Sequence, residues 1–200
     1  MLKCVLSLWV ASVSVLGLAN GSDIVKLGSM WIIKDAPAAM PMKLFNASAK
    51  ELAKTYSETE APASVNCFLL RQNGKNILID TGYGPPKGNT QALLANKKID
   101  IILITHMHPD HIGGLITADG KAAFPDTEVY IAQKEYDYWK NKSDAELPNH
   151  VFELYHINQF EPDQEILPGI YAIDAAGHTP GHTVYENNIY MFVGDLLHAT

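Results

Sequence analysis

Between residues 65 and 105 apolar residues come in short dense runs separated by turn-forming pairs. "VNCFLLRQNGKNILIDTG" (65–82) holds two such runs around Asn73-Gly74. Asn-Gly tolerates positive φ at both centres of a tight turn, so the pattern predicts a hairpin whose second strand is Asn76–Ile79, ending at Asp80. "IDIILIT" (99–105) is apolar throughout and too short for a helix, which predicts a strand buried on both faces. "EVYIAQ" (128–133), "GIYAIDAAGH" (169–178) and "NIYMFVGD" (188–195) predict further strands. Helices are expected within 46–56, 90–98 and 134–142. "IVKLGSMWII" reads as an opening strand, residues 34–46 as a loop, and "ETEAPAS" as a polar turn. Strands alternating with helices indicate an α/β domain.

Three apolar strands run straight into polar residues: Ile101–Thr105 into His106, Tyr171–Ala175 into His178, and Tyr190–Val193 into Asp195. Sites on α/β sheets gather outside the carboxyl ends of strands. The first cluster, "THMHPDHIGG" (105–114), is the densest. His106 and His108 are two apart, so on an extended segment their rings face the same way and can share an ion. Pro109 turns the chain, Asp110 and His111 project from the turn, and Gly113-Gly114 let the backbone pass close by. His178 would complete a three-histidine set, the usual protein contribution to a catalytic zinc. Asp195 has two carboxylate oxygens and can bridge two ions. The expected metal ligands are therefore His106, His108, Asp110, His111, His178 and Asp195. Nitrogen and oxygen donors without thiolate fit Zn2+ best, with iron, manganese or cobalt as alternatives. Asp80 is expected beneath the metal loop, orienting a ligand. His182 is expected beside the site without ligating. His150 and His156 have no companion donors and are left out.

Composition narrows the picture. A chain of 200 residues, 47% hydrophobic and 18% charged, suits one globular domain. The net charge of −7 without a basic cluster argues against nucleic acid. "MLKCVLSLWVASVSVLGLAN" has one early Lys, an apolar run and small residues before a cut after Ala19. That is the pattern of a secretory signal peptide, so residues 20–200 are expected as the domain, exported to the periplasm or medium, with no stable membrane partner after cleavage. Cleavage would remove Cys4 and leave Cys67 unpaired within a strand-like run, where it reads as a small buried side chain.

The quoted "THMHPDHIGG", "GHTPGHT" and "VGD", in that order, with "ILIDTG" upstream, resemble the motifs of the metallo-β-lactamase superfamily over roughly residues 65–195. "FPDTEVYIAQKEYDYW" and "LPGIYAIDAAGHTPGHT" are similar to the methyl parathion hydrolase and lactonase-like branch. The resemblance implies an αββα sandwich with a binuclear site in the groove. It maps His106, His108 and His178 to one metal, Asp110 and His111 to the second, and Asp195 to the bridge. The family carries a further His well downstream of that Asp, whereas Thr200 is five positions past Asp195. The chain is therefore read as C-terminally partial, with His198 as the one substitute donor at hand.

The expected activity is hydrolysis by a metal-bound hydroxide of a lactone or other carboxylic ester, or of an organophosphate triester, with Asp110 holding the nucleophile or moving a proton. The expected partner is that small molecule, with a homodimer left open. β-Lactams fit less well, because forms with this His motif lack a bridging Asp. Glyoxalase-type thioesters fit less well with export. The alternative is a metal-binding domain that is catalytically silent.

Overall fold

The computed structural model describes residues 8–10, 23–41, 49–52, 54 and 60–196. Two sheets lie face to face. The larger has seven strands in the order β2-β3-β4-β5-β6-β7-β8: Ile24–Leu27, Met30–Pro41, Glu60–Gln72, Lys75–Ile79, Ile101–Leu103, Glu128–Ala132 and Ile157–Phe160. Its first four strands pair antiparallel and β5 to β8 pair parallel. The smaller runs β1-β12-β11-β10-β9, with β1 Leu8–Val10, β9 Gln164–Leu167, β10 Ile170–Asp174, β11 Thr183–Glu186 and β12 Tyr190–Phe192. β1 lies within the stretch read as an export signal and pairs parallel with β12. The rest of residues 1–19, with Cys4, lies outside the described residues, as does His198.

The alternation of side chains explains the layering. Phe68, Leu70, Ile77, Ile79, Ile101 and Leu103 point to the small sheet and meet Ile170, Ala172, Tyr185, Tyr190 and Phe192. Their neighbours Cys67, Leu69, Leu78, Ile102 and Ile104 point the other way, onto Leu94, Ile112, Trp139 and Val151. Those last residues come from helices α2 (Thr90–Leu94), α3 (Pro109–Ile112), α4 (Gln133–Lys140) and α5 (Glu146–Leu154). A further short helix, α1, spans Ala49–Leu52. The result is the helix–sheet–sheet part of the expected αββα sandwich. Residues 101–104 are at most 1% exposed, as a strand buried on both faces requires. Each such side chain contributes about 1.5–3 kcal/mol by leaving water.

The Asn73-Gly74 hairpin forms as expected, with φ of 51° and 79° at the two turn residues. Two expectations fail. Residues 34–41 are strand, and so are residues 60–64: Pro37 pairs with Ser64 and Ala39 with Pro62. Small and proline residues hide the period-2 signal there, while the antiparallel partner supplies the pairing. A bulge between Lys34 and Ala36 turns Asp35 fully inward. Its carboxylate accepts hydrogen bonds from Tyr83 N, Thr90 N and Thr90 Oγ1. Cys67 is buried and free, as expected. Burial pushes its thiol pKa up.

Candidate metal centre

Strand β6 ends at Leu103, and the chain runs on through Thr105 to the histidine loop. Two anchors set that loop. At the end of β5, Asp80 adopts a left-handed backbone (φ 55°). Its Oδ1 accepts from Thr105 N at 2.8 Å, and its Oδ2 from Thr105 Oγ1 at 2.8 Å. Further along, Thr81 N donates to His111 O and Gly114 N to Gly82 O. The second contact demands glycine: a Cβ on Gly114 would lie 1.9 Å from the Thr81 carbonyl oxygen.

The expected histidines converge. His106 Nε2 lies 3.0 Å from His108 Nδ1, and His178 Nε2 lies 2.9 Å from the same atom. The donor atoms of His106, His108 and His178 all fall within 4.8 Å of one another, and so do those of His106, His111 and Asp195. His106 thus belongs to both groups. Asp195 stands between them, with Oδ2 3.3 Å from His178 Nε2 and Oδ1 3.2 Å from His111 Nε2. Asp110 is adjacent, its Oδ2 3.7 Å from His111 Nε2, but outside both three-member groups. His182 Nε2 accepts from Asp195 N at 3.0 Å, behind the bridge position. His150 is elsewhere, against Gly120 O, and His156 is exposed and outside the cluster.

Hydrogen bonds fix which ring nitrogens face inward. Thr105 Oγ1 spends its proton on Asp80, so it accepts from His106 Nδ1 at 3.1 Å. His106 therefore presents a bare Nε2. His111 Nδ1 donates to Asp80 Oδ2 at 2.8 Å, leaving its Nε2 toward Asp195. One buried carboxylate thus orients two rings. Asp80 takes the place beneath the loop that the sequence suggested.

Electrostatics split the cluster: His106 and His108 are held neutral and His111 is held charged. Burial, followed by the crowd of His111, His182, His108 and His178, holds His106 far below the usual imidazole range. Burial also lowers His108, against the pull of Asp110, Asp195 and Glu135. Burial works against charge on His111 too, but Asp80 and Asp195 outweigh it and hold that ring well above the ordinary value. The surroundings of His111 Nε2 thus stabilise positive charge at the spot where a ligand would meet a metal. In tetrahedral zinc, Zn–N of about 2.0–2.1 Å implies N···N of about 3.3 Å, close to the separations here. The donor set and its spacing fit divalent cations. Exposure grades outward from fully buried His106, through half-buried His108, to exposed His178, so the site opens on the His178 side.

The sequence missed Glu135. It is fully buried, although it belongs to a helix with mostly polar residues. Its carboxylate accepts from Met107 N, Trp139 Nε1, Thr179 Oγ1 and Gly181 N. Local spacing carried no signal for it, since three of those four partners are distant in sequence.

Comparison with known proteins gives the following. Residues 61–200 match the model of the metallo-beta-lactamase superfamily. Hydroxyacylglutathione hydrolase of Haemophilus ducreyi is 30% identical over 145 residues, covering 70% of this chain and 53% of the relative. N-acyl homoserine lactonase of a Bacillus species is 24% identical over 144 residues, covering 58% of this chain and 55% of the relative. The chain spans about half the length of these curated relatives. The solved structure of AidC, a dizinc quorum-quenching lactonase, has a TM-score of 0.73 and 24% identity. The superposition covers 88% of this chain and 74% of that one, and it shows a shared fold.

Proposed function

The chain belongs to the metallo-beta-lactamase superfamily, and from that membership we propose that it is a binuclear metal-dependent hydrolase of a lactone or other carboxylic ester, or of an organophosphate triester. The observation that carries the reading is Asp195, with one oxygen 3.3 Å from His178 and the other 3.2 Å from His111. His106, His108 and His178 would hold one cation, Asp110 and His111 the second, and Asp195 would serve both.

Bound cations, Zn2+ first among them, supply Lewis acidity and lower the pKa of a water from about 15.7 toward about 7. The chain's own residues do the rest. Burial keeps His106 and His108 neutral, so their lone pairs are free near pH 7. Asp110, half-buried beside His111, accepts a proton and returns it to the leaving group. Exposed His178 marks the side from which substrate enters. The names of the relatives, an acyl homoserine lactonase and a hydroxyacylglutathione hydrolase, put acyl substrates first. Export with loss of residues 1–19 belongs to the same proposal, and the mass of the mature N-terminus tests it.

The test is metal analysis of the purified protein together with turnover of a lactone, as the carboxylic ester, and of an aryl phosphotriester. Two zinc ions per chain, with hydrolysis abolished by chelator and restored by Zn2+, are expected. Two bound ions with no turnover across both substrate classes would overturn the proposal. A second reading, a one-cation protein without turnover, draws on the sharing of His106 by both groups. It predicts a single zinc per chain.

A further inference from the structure

Two buried carboxylates flank the candidate centre, and they hold it from different sides. Asp80 reaches His111 directly and His106 through Thr105. Glu135 touches none of those residues. It sits in the first turn of α4 and grips the backbone on both sides of the three-histidine group.

The contacts divide evenly. Oε1 accepts from Met107 N at 2.9 Å and from Trp139 Nε1 at 2.7 Å. Oε2 accepts from Thr179 Oγ1 at 2.7 Å and from Gly181 N at 3.0 Å. Met107 lies between His106 and His108, so its amide direction governs how those rings diverge. Thr179 follows His178, and Gly181 precedes His182. One carboxylate thus ties the loop that carries two histidines to the loop that carries the third. Trp139, held by the same oxygen as Met107, sets its ring edge-on to His108, with centroids 5.8 Å apart. The approach of the second loop is close enough to exclude a side chain, because a Cβ on Gly181 would lie 2.1 Å from Glu135 N.

Burying a carboxylate costs several kcal/mol unless its charge is met. Among the described residues Glu135 pairs with no Lys or Arg. Four donors satisfy it, and both oxygens act only as acceptors, the role of an ionised carboxylate. Its donors Met107, Thr179 and Gly181 each stand one residue from a histidine of the cluster.

We propose that Glu135 is a positioning residue for the three-histidine half of the centre and sets the cation affinity of that half, as Asp80 does for the half containing His111. This rests on the reading of the centre as a metal site. Removing a group that orients a metal ligand by hydrogen bonding typically changes affinity by about 10–100-fold.

The experiment uses the full chain loaded with Zn2+ or Co2+, read by competition with a chromophoric chelator and by the visible spectrum of the cobalt form. Glu135→Gln keeps the volume while placing an amide donor against the Gly181 amide. It is expected to weaken one of two binding phases by about 10–100-fold, to leave the other within about threefold, and to alter the cobalt spectrum. Asp80→Asn is expected to act mainly on the phase containing His111, which it touches directly, and less on the three-histidine phase, which it reaches only through Thr105 and His106. On a His178→Ala background Glu135→Gln should add nothing to the remaining phase. Thr179→Val, which removes one donor and leaves the carboxylate, should give a smaller effect on the same phase. If a single cation binds, Glu135→Gln should weaken it by the same factor. Equal weakening of both phases, or a lowered melting temperature with both affinities and the cobalt spectrum unchanged, would make Glu135 a purely structural residue and overturn the proposal. A wild-type protein that binds no cation overturns the metal reading itself and this proposal with it.

Discussion

His111 and Asp80 meet through Nδ1 and Oδ2 at 2.8 Å, on the edge of the imidazole opposite the Nε2 that faces Asp195. The contact fixes the ring orientation and points Nε2 at Asp195 in one step. It also links the end of β5 to the first turn of α3, so ring orientation depends on two elements of the large sheet layer.

Replacing Asp80 with Asn keeps the shape but lets the amide offer N–H where His111 and Thr105 need an acceptor. Turnover is expected to fall by about 10–100-fold. Steady-state kinetics at saturating zinc check this, and unchanged turnover would refute the orienting role.

His106 is shared by both donor groups. Only its Nε2 is bare, and one imidazole nitrogen binds one ion, so His106→Ala, like His178→Ala, should cost the three-histidine cation and leave the other. His150→Ala, remote from the cluster, should change neither. Zinc per chain after dialysis checks the three variants.

The chelated protein should be most stable near pH 6.5. His106, His108 and His182 have folded pKa values below their ordinary 6.5. On acidification below 6.5 the unfolded chain takes up protons that the fold refuses, and stability falls by up to about 1.4 kcal/mol per pH unit for each such proton. His111 has the opposite shift. Its contribution is complete below 6.5 and is lost as pH rises through its folded value. Melting temperature against pH in chelator should therefore fall on both sides. His111→Ala should flatten the alkaline limb and leave the acid limb in place.

Gly114→Ala should destabilise the fold by about 1–3 kcal/mol through overpacking, because its Cβ would collide with the Thr81 carbonyl oxygen. Thermal melts should show a drop of roughly 2–4 °C per kcal/mol for a chain of this size.

How much of this was legible in the sequence depends on where each signal resides. The Asn73-Gly74 hairpin, the strand at 101–103 and the histidine loop were readable because turn chemistry, apolar runs and donor spacing are local. Asp80 was readable because it ends a strand next to that loop. Residues 34–41 were not, since alanines and prolines give no alternation and only the partner strand makes them β. Helix α5 was missed because "ELPNHVFEL" contains Pro148, yet its first turn has no intrahelical N–H bond for proline to break. Glu135 and Asp35 looked like ordinary charged positions. Their burial is decided by backbone donors far along the chain, and no window of neighbouring residues encodes that.

The candidate ligands are drawn from both sheets. His106, His108, Asp110 and His111 follow β6 of the large one, while His178 and Asp195 follow β10 and β12 of the small one. An ion seated among them would rivet the two layers together. Heat resistance would then climb logarithmically with free zinc, by RT ln(1 + [Zn]/Kd), so a melting curve of this protein would double as a gauge of the metal supply around it.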